Sequence, residues 1–239
     1  MSLLQPQKKG PLTLRLARDL VRSIKRGHPW VFRETIRHCP PALAGSRAIL
    51  QDNKKGRPIA QGFYDSASAL AFRVCSTDPS EPLNDDWAHT RLTQAVALRA
   101  SLFDDQTTGY RLFNGEGDGL PGLICDIYGE TAVLQLDGDG PKGFWDSRGI
   151  ADWLIDNLPL TCVYQREQSR SKEAGKALIG HVPKQPAQFL ENGVRFTADL
   201  IQGQKTGFFL DQRANRHFVK RFATEQTILN LFGYTGGFS

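Results

Sequence analysis

The residues best placed to do chemistry lie between 203 and 239, in GQKTGFFLDQRANRHFVKRFATEQTILNLFGYTGGFS. Residues 228–232, ILNLF, form an apolar run with the length of a buried parallel strand, and Gly233, Gly236 and Gly237 follow directly. A strand opening into a glycine-rich turn is where a cofactor is laid. Glycine permits positive φ and brings bare backbone N–H groups up to a ligand, usually at the N-terminus of the following helix. In such folds the carboxylate that takes the ribose hydroxyls sits about 20 residues further on, a count that runs past Ser239.

A second glycine cluster, GEGDGLPG at residues 115–122, does not read as a phosphate loop. Glu116 and Asp118 would repel phosphate, and strand-like runs flank it on both sides, so a structural turn is expected. Cys39, Cys75, Cys125 and Cys162 are far apart, with no CxxC pair, and the five histidines show no ligand spacing. Core cysteines and no metal site are expected.

FFLDQR at 208–213 together with FGYTGGFS at 232–239 resembles the entry to the catalytic domain of class I S-adenosylmethionine (SAM) methyltransferases of bacterial large-subunit rRNA, in the branch that makes 5-methylcytosine and carries an N-terminal PUA domain. The likeness runs from about Leu12 to Ser239. It implies that Lys205, Thr206, Phe208, Phe209, Asp211 and Arg213 lie beside a SAM pocket lined by Asn230, Phe232, Tyr234, Thr235, Gly236, Gly237 and Phe238. Within that set Asp211 would accept from the SAM amino group, Arg213 would be its electrostatic partner and Phe209 a wall. Enzymes of this branch add a cysteine thiolate to carbon 6 of cytosine so that carbon 5 can attack the methyl group. That cysteine lies downstream of the glycine turn in the family, so none of the four cysteines here is assigned as nucleophile, and no catalytic residue is expected in this chain. The expected function is cytosine-5 methylation of 23S rRNA, present here as an N-terminal fragment inactive alone. The alternatives are an RNA-binding PUA-type protein without catalysis and an enzyme with another target base.

Composition agrees with an ordinary globular chain: 239 residues, 40% hydrophobic and 23% charged. No run of about 18 apolar residues appears, and MSLLQPQKKG has no apolar stretch after its lysines. A cytoplasmic protein without a membrane partner is expected, and an oligomer is left open. Residues 1–85 carry 14 Lys and Arg against 7 Asp and Glu, whereas residues 86–239 carry 16 against 18. A basic module on a near-neutral body is the electrostatic footprint of a domain that tracks phosphate. Lys25, Arg26, His28 and Arg33 are the expected RNA contacts.

These residues need elements to position them. Residues 12–17, LTLRLA, alternate as a half-buried strand, and a helical turn over 19–25 ends at Gly27. In HPWVF, Pro29 biases the chain to extended backbone, with Trp30 and Phe32 as core anchors. Strands are expected over 47–51, 58–64 and 69–75, and the whole order resembles a PUA domain. A helix over 87–103, capped by Asn84, Asp85 or Asp86, follows a proline-containing linker. Further on come a helix over 144–158, a strand over 162–166, a charged loop over 167–176, and a hairpin turning at Asn192-Gly193. The expected fold is therefore α+β and multi-domain. A PUA-like β-barrel over 1–76 and a linker over 77–86 lead to a middle α/β domain over 87–185. The hairpin and only the first helix and strand of a Rossmann-like methyltransferase domain fill 186–239.

Overall fold

A computed structural model describes residues 2–167, 175–181 and 184–238; most of the expected charged loop, residues 168–174, lies outside the described residues. The first sheet is built from β1 (Leu12–Arg15), β2 (Trp30–Val31), β3 (Ser46–Gln51), β4 (Pro58–Tyr64) and β5 (Phe72–Ser76), with α1 (Val21–Lys25) between β1 and β2. Its order is β1-β3-β4-β5-β2, with β1 parallel to β3 and the other pairs antiparallel. A bridge between Leu16 and Ile36 draws the two edges together. Leu14, Leu16, Ile24, Val31, Leu50 and Phe72 fill its core.

Next, α2 (Asp85–Leu102) starts at Asn84, whose side chain accepts from the Trp87 N–H. The second sheet follows as β6 (Gly109–Asn114), β7 (Leu123–Tyr128) and β8 (Thr131–Leu136). The chain then crosses over through α3 (Asp139–Phe144) and α4 (Ser147–Asn157) to β9 (Cys162–Gln165), beside which lies β10 (Lys176–Ile179). The order is β10-β9-β8-β7-β6, and β8 and β9 are parallel. Strand alternation divides this sheet's side chains between two cores. Leu123, Cys125, Ile127, Ala132, Leu134 and Val163 face α2 and α4, while Tyr128, Val133, Cys162 and Tyr164 face the opposite way. Against that second face packs the hairpin of β11 (Ala187–Glu191) and β12 (Val194–Ala198), with Phe189, Phe208 and Leu210 inward. Asn192 and Gly193 both take positive φ, 50° and 77°, which the two-residue turn requires. Gly109 is needed beneath it, because a Cβ there would stand 2.0 Å from the Phe189 ring.

The expected architecture is corrected by this arrangement. Two five-stranded mixed sheets and a two-stranded hairpin are present, the first sheet closing on itself where the barrel module is expected, and no Rossmann-like strand follows the hairpin among the described residues. α5 (Arg213–Lys220) forms, but residues 228–232 are not a strand. An apolar run becomes a strand only when neighbouring backbone pairs with it, and here no ladder partner is present among the described residues. Leu229 is 80% exposed and Phe232 fully so. The expected helix over 144–158 begins three residues later, as α4, because the Asp146 side chain accepts from the Arg148 and Gly149 N–H groups and caps it there. Trp30 and Phe32 are not core anchors: they are 39% and 40% exposed, and Val31 between them is buried.

Burial raises the phenols of Tyr64, to about 12, Tyr110, Tyr128 and Tyr164, and the thiols of Cys75, Cys125 and Cys162. The folded protein therefore holds these protons more tightly than the unfolded chain, whose thiols and phenols titrate near about 8.5 and about 10. Their contribution is fully present below those values and is lost as pH rises through the folded ones. The thermal midpoint should stay level from neutral pH to about 8 and fall steadily above about 9. A midpoint that holds to about pH 11 would contradict this.

Candidate functional site

The face of the second sheet that meets the hairpin also carries charge. Arg111 and Asp126 pair directly across β6 and β7, and the Arg111 guanidinium donates to both carboxylate oxygens, at 2.8 and 3.0 Å. Asp126 is almost wholly buried. The hydrogen bond to Asp126 is the main reason the Arg111 pKa is raised. The Thr206 hydroxyl also donates to Asp126, and the Tyr128 hydroxyl lies 2.9 Å from the same Thr206 oxygen. Tyr128, Thr206, Asp126 and Arg111 thus form one chain of polar contacts that ties the 199–207 loop to the sheet.

That loop is defined by its own contacts. Asp199 accepts from the Ile201 and Gln202 N–H groups at its start, and Arg166 donates to the Gly203 carbonyl. Lys205 adopts φ 53°, the left-handed region that side chains other than glycine rarely occupy. Lys205 Nζ donates to Asp211 Oδ2 at 2.7 Å and stands 4.6 Å from the centre of the Phe209 ring. The Lys205 ammonium holds the Asp211 carboxyl below its ordinary range.

Between this loop, α2 and the sheet lies an open cleft of about 640 Å³, a size that takes a nucleotide-sized ligand. Of the residues expected at the cofactor, Lys205, Thr206, Phe208, Asp211 and Arg213 line it together. The Arg213 guanidinium stacks at 4.3 Å on Phe103, and burial lowers its pKa. Tyr234 joins this group from the other side: its hydroxyl accepts from the Gln204 N–H at 2.8 Å and its ring meets Phe209 edge-on at 5.6 Å. Phe209, Asn230, Phe232, Thr235, Gly236, Gly237 and Phe238 do not line the cleft. Gly236 N–H donates to the Gly233 carbonyl in a tight turn, and Gly237 and Phe238 lie against Arg216 in a separate cavity of about 240 Å³.

Arg99, Arg111, Asn114, Asp126 and Gln135 also line the cleft and were not expected there. One signal was available in the sequence: Arg111 and Asp126 are charges inside otherwise apolar strand runs, and a charge buried in a strand needs a stated partner. Glu116 and Asp118 are structural, as expected. Asp118 takes both ends of the Arg99 guanidinium, at 2.7 and 2.8 Å, and Glu116 takes Arg73 and the Trp30 indole N–H.

The expected RNA contacts fall on one exposed segment. Lys25 ends α1, Arg26 and His28 follow it, and all three reach solvent. Arg33 is also exposed, but its guanidinium donates to the Ser66 and Ser68 carbonyls. No helix among the described residues is long and apolar enough to cross a membrane, and no group of three or more His, Cys, Asp or Glu among them could hold a metal.

Two family profiles match this sequence: a PUA-like domain over residues 14–77 and an S-adenosylmethionine-dependent methyltransferase over residues 160–239. A ribosomal RNA large subunit methyltransferase of Deinococcus radiodurans is 36% identical over 95% of this chain and 59% of its own length. Ribosomal RNA large subunit methyltransferase I of Shewanella frigidimarina is 35% identical over 91% of this chain and 56% of its own. The chain thus spans a little over half the length of these curated relatives. Among solved structures, a protein described as a SAM-dependent methyltransferase of Streptococcus mutans aligns with a TM-score of 0.78 at 22% identity, over 95% of this chain and 59% of that one. A methyltransferase complexed with SAH aligns at 0.79, also at 22% identity, over 95% and 58%. At that identity the likeness is one of fold. It covers 95% of the chain, and so corrects the expectation that only the first helix and strand of a Rossmann-like methyltransferase domain are shared with that fold.

Proposed function

We propose that the protein is a SAM-dependent methyltransferase that acts on carbon 5 of a cytosine in 23S ribosomal RNA. The observation that carries the reading is the 35–36% identity to ribosomal RNA large subunit methyltransferases over 91–95% of the chain. The residues present fit the cofactor. Asp211 offers a carboxylate to its ammonium head, and Phe209 and Tyr234 offer rings to a sulfonium or an adenine. The cofactor supplies an electrophilic methyl group. Around the cleft Arg99, Arg111 and Lys205 are each paired with a carboxylate, of Asp118, Asp126 and Asp211, so their guanidinium and ammonium groups are held in fixed directions. Lys205, strained at φ 53° and paired to Asp211, is the residue that sets the carboxylate's direction. Lys25, Arg26, His28 and Arg33 hold RNA on the N-terminal sheet in this reading.

Deleting the gene in its source cells should remove one 5-methylcytidine from nuclease-digested 23S rRNA, read by mass spectrometry. Loss of another methylated nucleoside instead would change the base, and an unchanged digest would sink the reading. In calorimetry, Asp211→Ala should weaken SAM binding about tenfold.

A further inference from the structure

The segment 20–33 carries Arg22, Lys25, Arg26 and Arg33 and no carboxylate. Within it Trp30 and Phe32 hold two large aromatic surfaces in solvent, although Val31 between them is buried. Trp30 lies in β2, the last strand in the order of its sheet, and Phe32 follows it in extended conformation. Two residues apart on extended chain is about 7 Å, close to two stacking intervals of about 3.4 Å. Trp30 does not hang free: its indole N–H donates to Glu116 Oε1 at 2.9 Å, and Glu116 is itself held by the buried Arg73. The ring is therefore fixed in place before any ligand arrives.

We propose that Trp30 and Phe32 are a stacking platform for unpaired bases of single-stranded RNA, whose phosphates run over Lys25, Arg26 and His28. This rests on the RNA-binding reading above and adds the state of the RNA. Exposed aromatic faces interleaved with cations are what a single strand needs, since every base offers a π-face, whereas a duplex keeps its bases stacked on one another. The platform is also wired to the cleft. Residues 115–118 form one short turn, and it holds Trp30 through Glu116 and the cleft residue Arg99 through Asp118.

The tryptophans make the test direct. Trp87, Trp145 and Trp153 are buried, so indole emission that changes on binding reports Trp30. Oligouridine of about 12 nucleotides, titrated into the whole protein, should quench that emission and bind more tightly than the same strand in a duplex with oligoadenosine. Trp30→Leu should lower its affinity about tenfold to hundredfold with the salt dependence unchanged, and Trp30→Phe should restore it to within about threefold. Lys25→Ala with Arg26→Ala should flatten the salt dependence by about 1.4 in logarithmic slope. If Trp30→Leu binds oligouridine as the parent does and no quenching appears, while the Lys25 and Arg26 changes still weaken binding, the platform is wrong and RNA binding stands. If the parent binds neither strand nor duplex at low salt, both readings fall.

Discussion

Glu191→Ala is expected to cost about 3–5 kcal/mol, the scale of a buried ion pair broken on one side. Glu191 ends β11 with its carboxylate buried; Arg216 Nε and Nη2 donate to it at 2.7 and 2.6 Å. Arg216 is buried as well, 4.6 Å from the Phe208 ring and 5.8 Å from that of Phe196. Removing the carboxylate leaves a guanidinium among aromatic rings with no counter-charge at that place, and Arg213 at 4.0 Å adds a second cation. The loss should not spread evenly, because the hairpin and the 199–210 segment share a core with one face of the second sheet, and α5 joins it through Arg216. Amide exchange should accelerate over 187–220 and change little in the first sheet. The double replacement Glu191→Leu with Arg216→Met should recover most of the loss, since it removes the stranded charge rather than its partner. If Glu191→Ala lies within about 1 kcal/mol of the parent, the pair is no stronger than a surface bridge and the argument fails.

Local chemistry made much of this arrangement legible. Asn192-Gly193 between two strand-like runs gives the hairpin, because two consecutive positive φ angles suit those residues. Asn84 followed by apolar residues at helical spacing gives α2 and its start. What was not legible depends on contacts distant in sequence. Trp30 and Phe32 read as core by residue type, but at an edge strand the same alternation points outward as easily as inward. Residues 228–232 read as a strand by composition, yet composition cannot supply a pairing partner. Lys205, Thr206, Asp211 and Arg213 were singled out within one short stretch, and a loop pinned at both ends brings them to one cleft. Arg111 and Asp126 complete that cleft from strands 80 residues or more before Thr206, a distance that no local motif spans.

That long-range connection is where the second large effect should appear. Asp126→Ala removes the acceptor shared by Arg111 and Thr206 from a fully buried position. The Arg111 side chain is 38% exposed and can regain water, so the cost should sit at about 2–3 kcal/mol rather than at the upper end for a buried pair. The Tyr128 hydroxyl keeps Thr206 but loses the chain of contacts beyond it. The loop that carries Lys205 and leads to Asp211 then has one anchor fewer on the sheet, so SAM affinity should fall together with the thermal midpoint. Thr206→Val alone removes the same bond from the other end. If loop and sheet are coupled through this bond, the double variant should cost less than the sum of the two single ones by about 1–2 kcal/mol. Additivity to within about 0.5 kcal/mol would mean that Asp126 serves Arg111 alone and that the loop is held elsewhere.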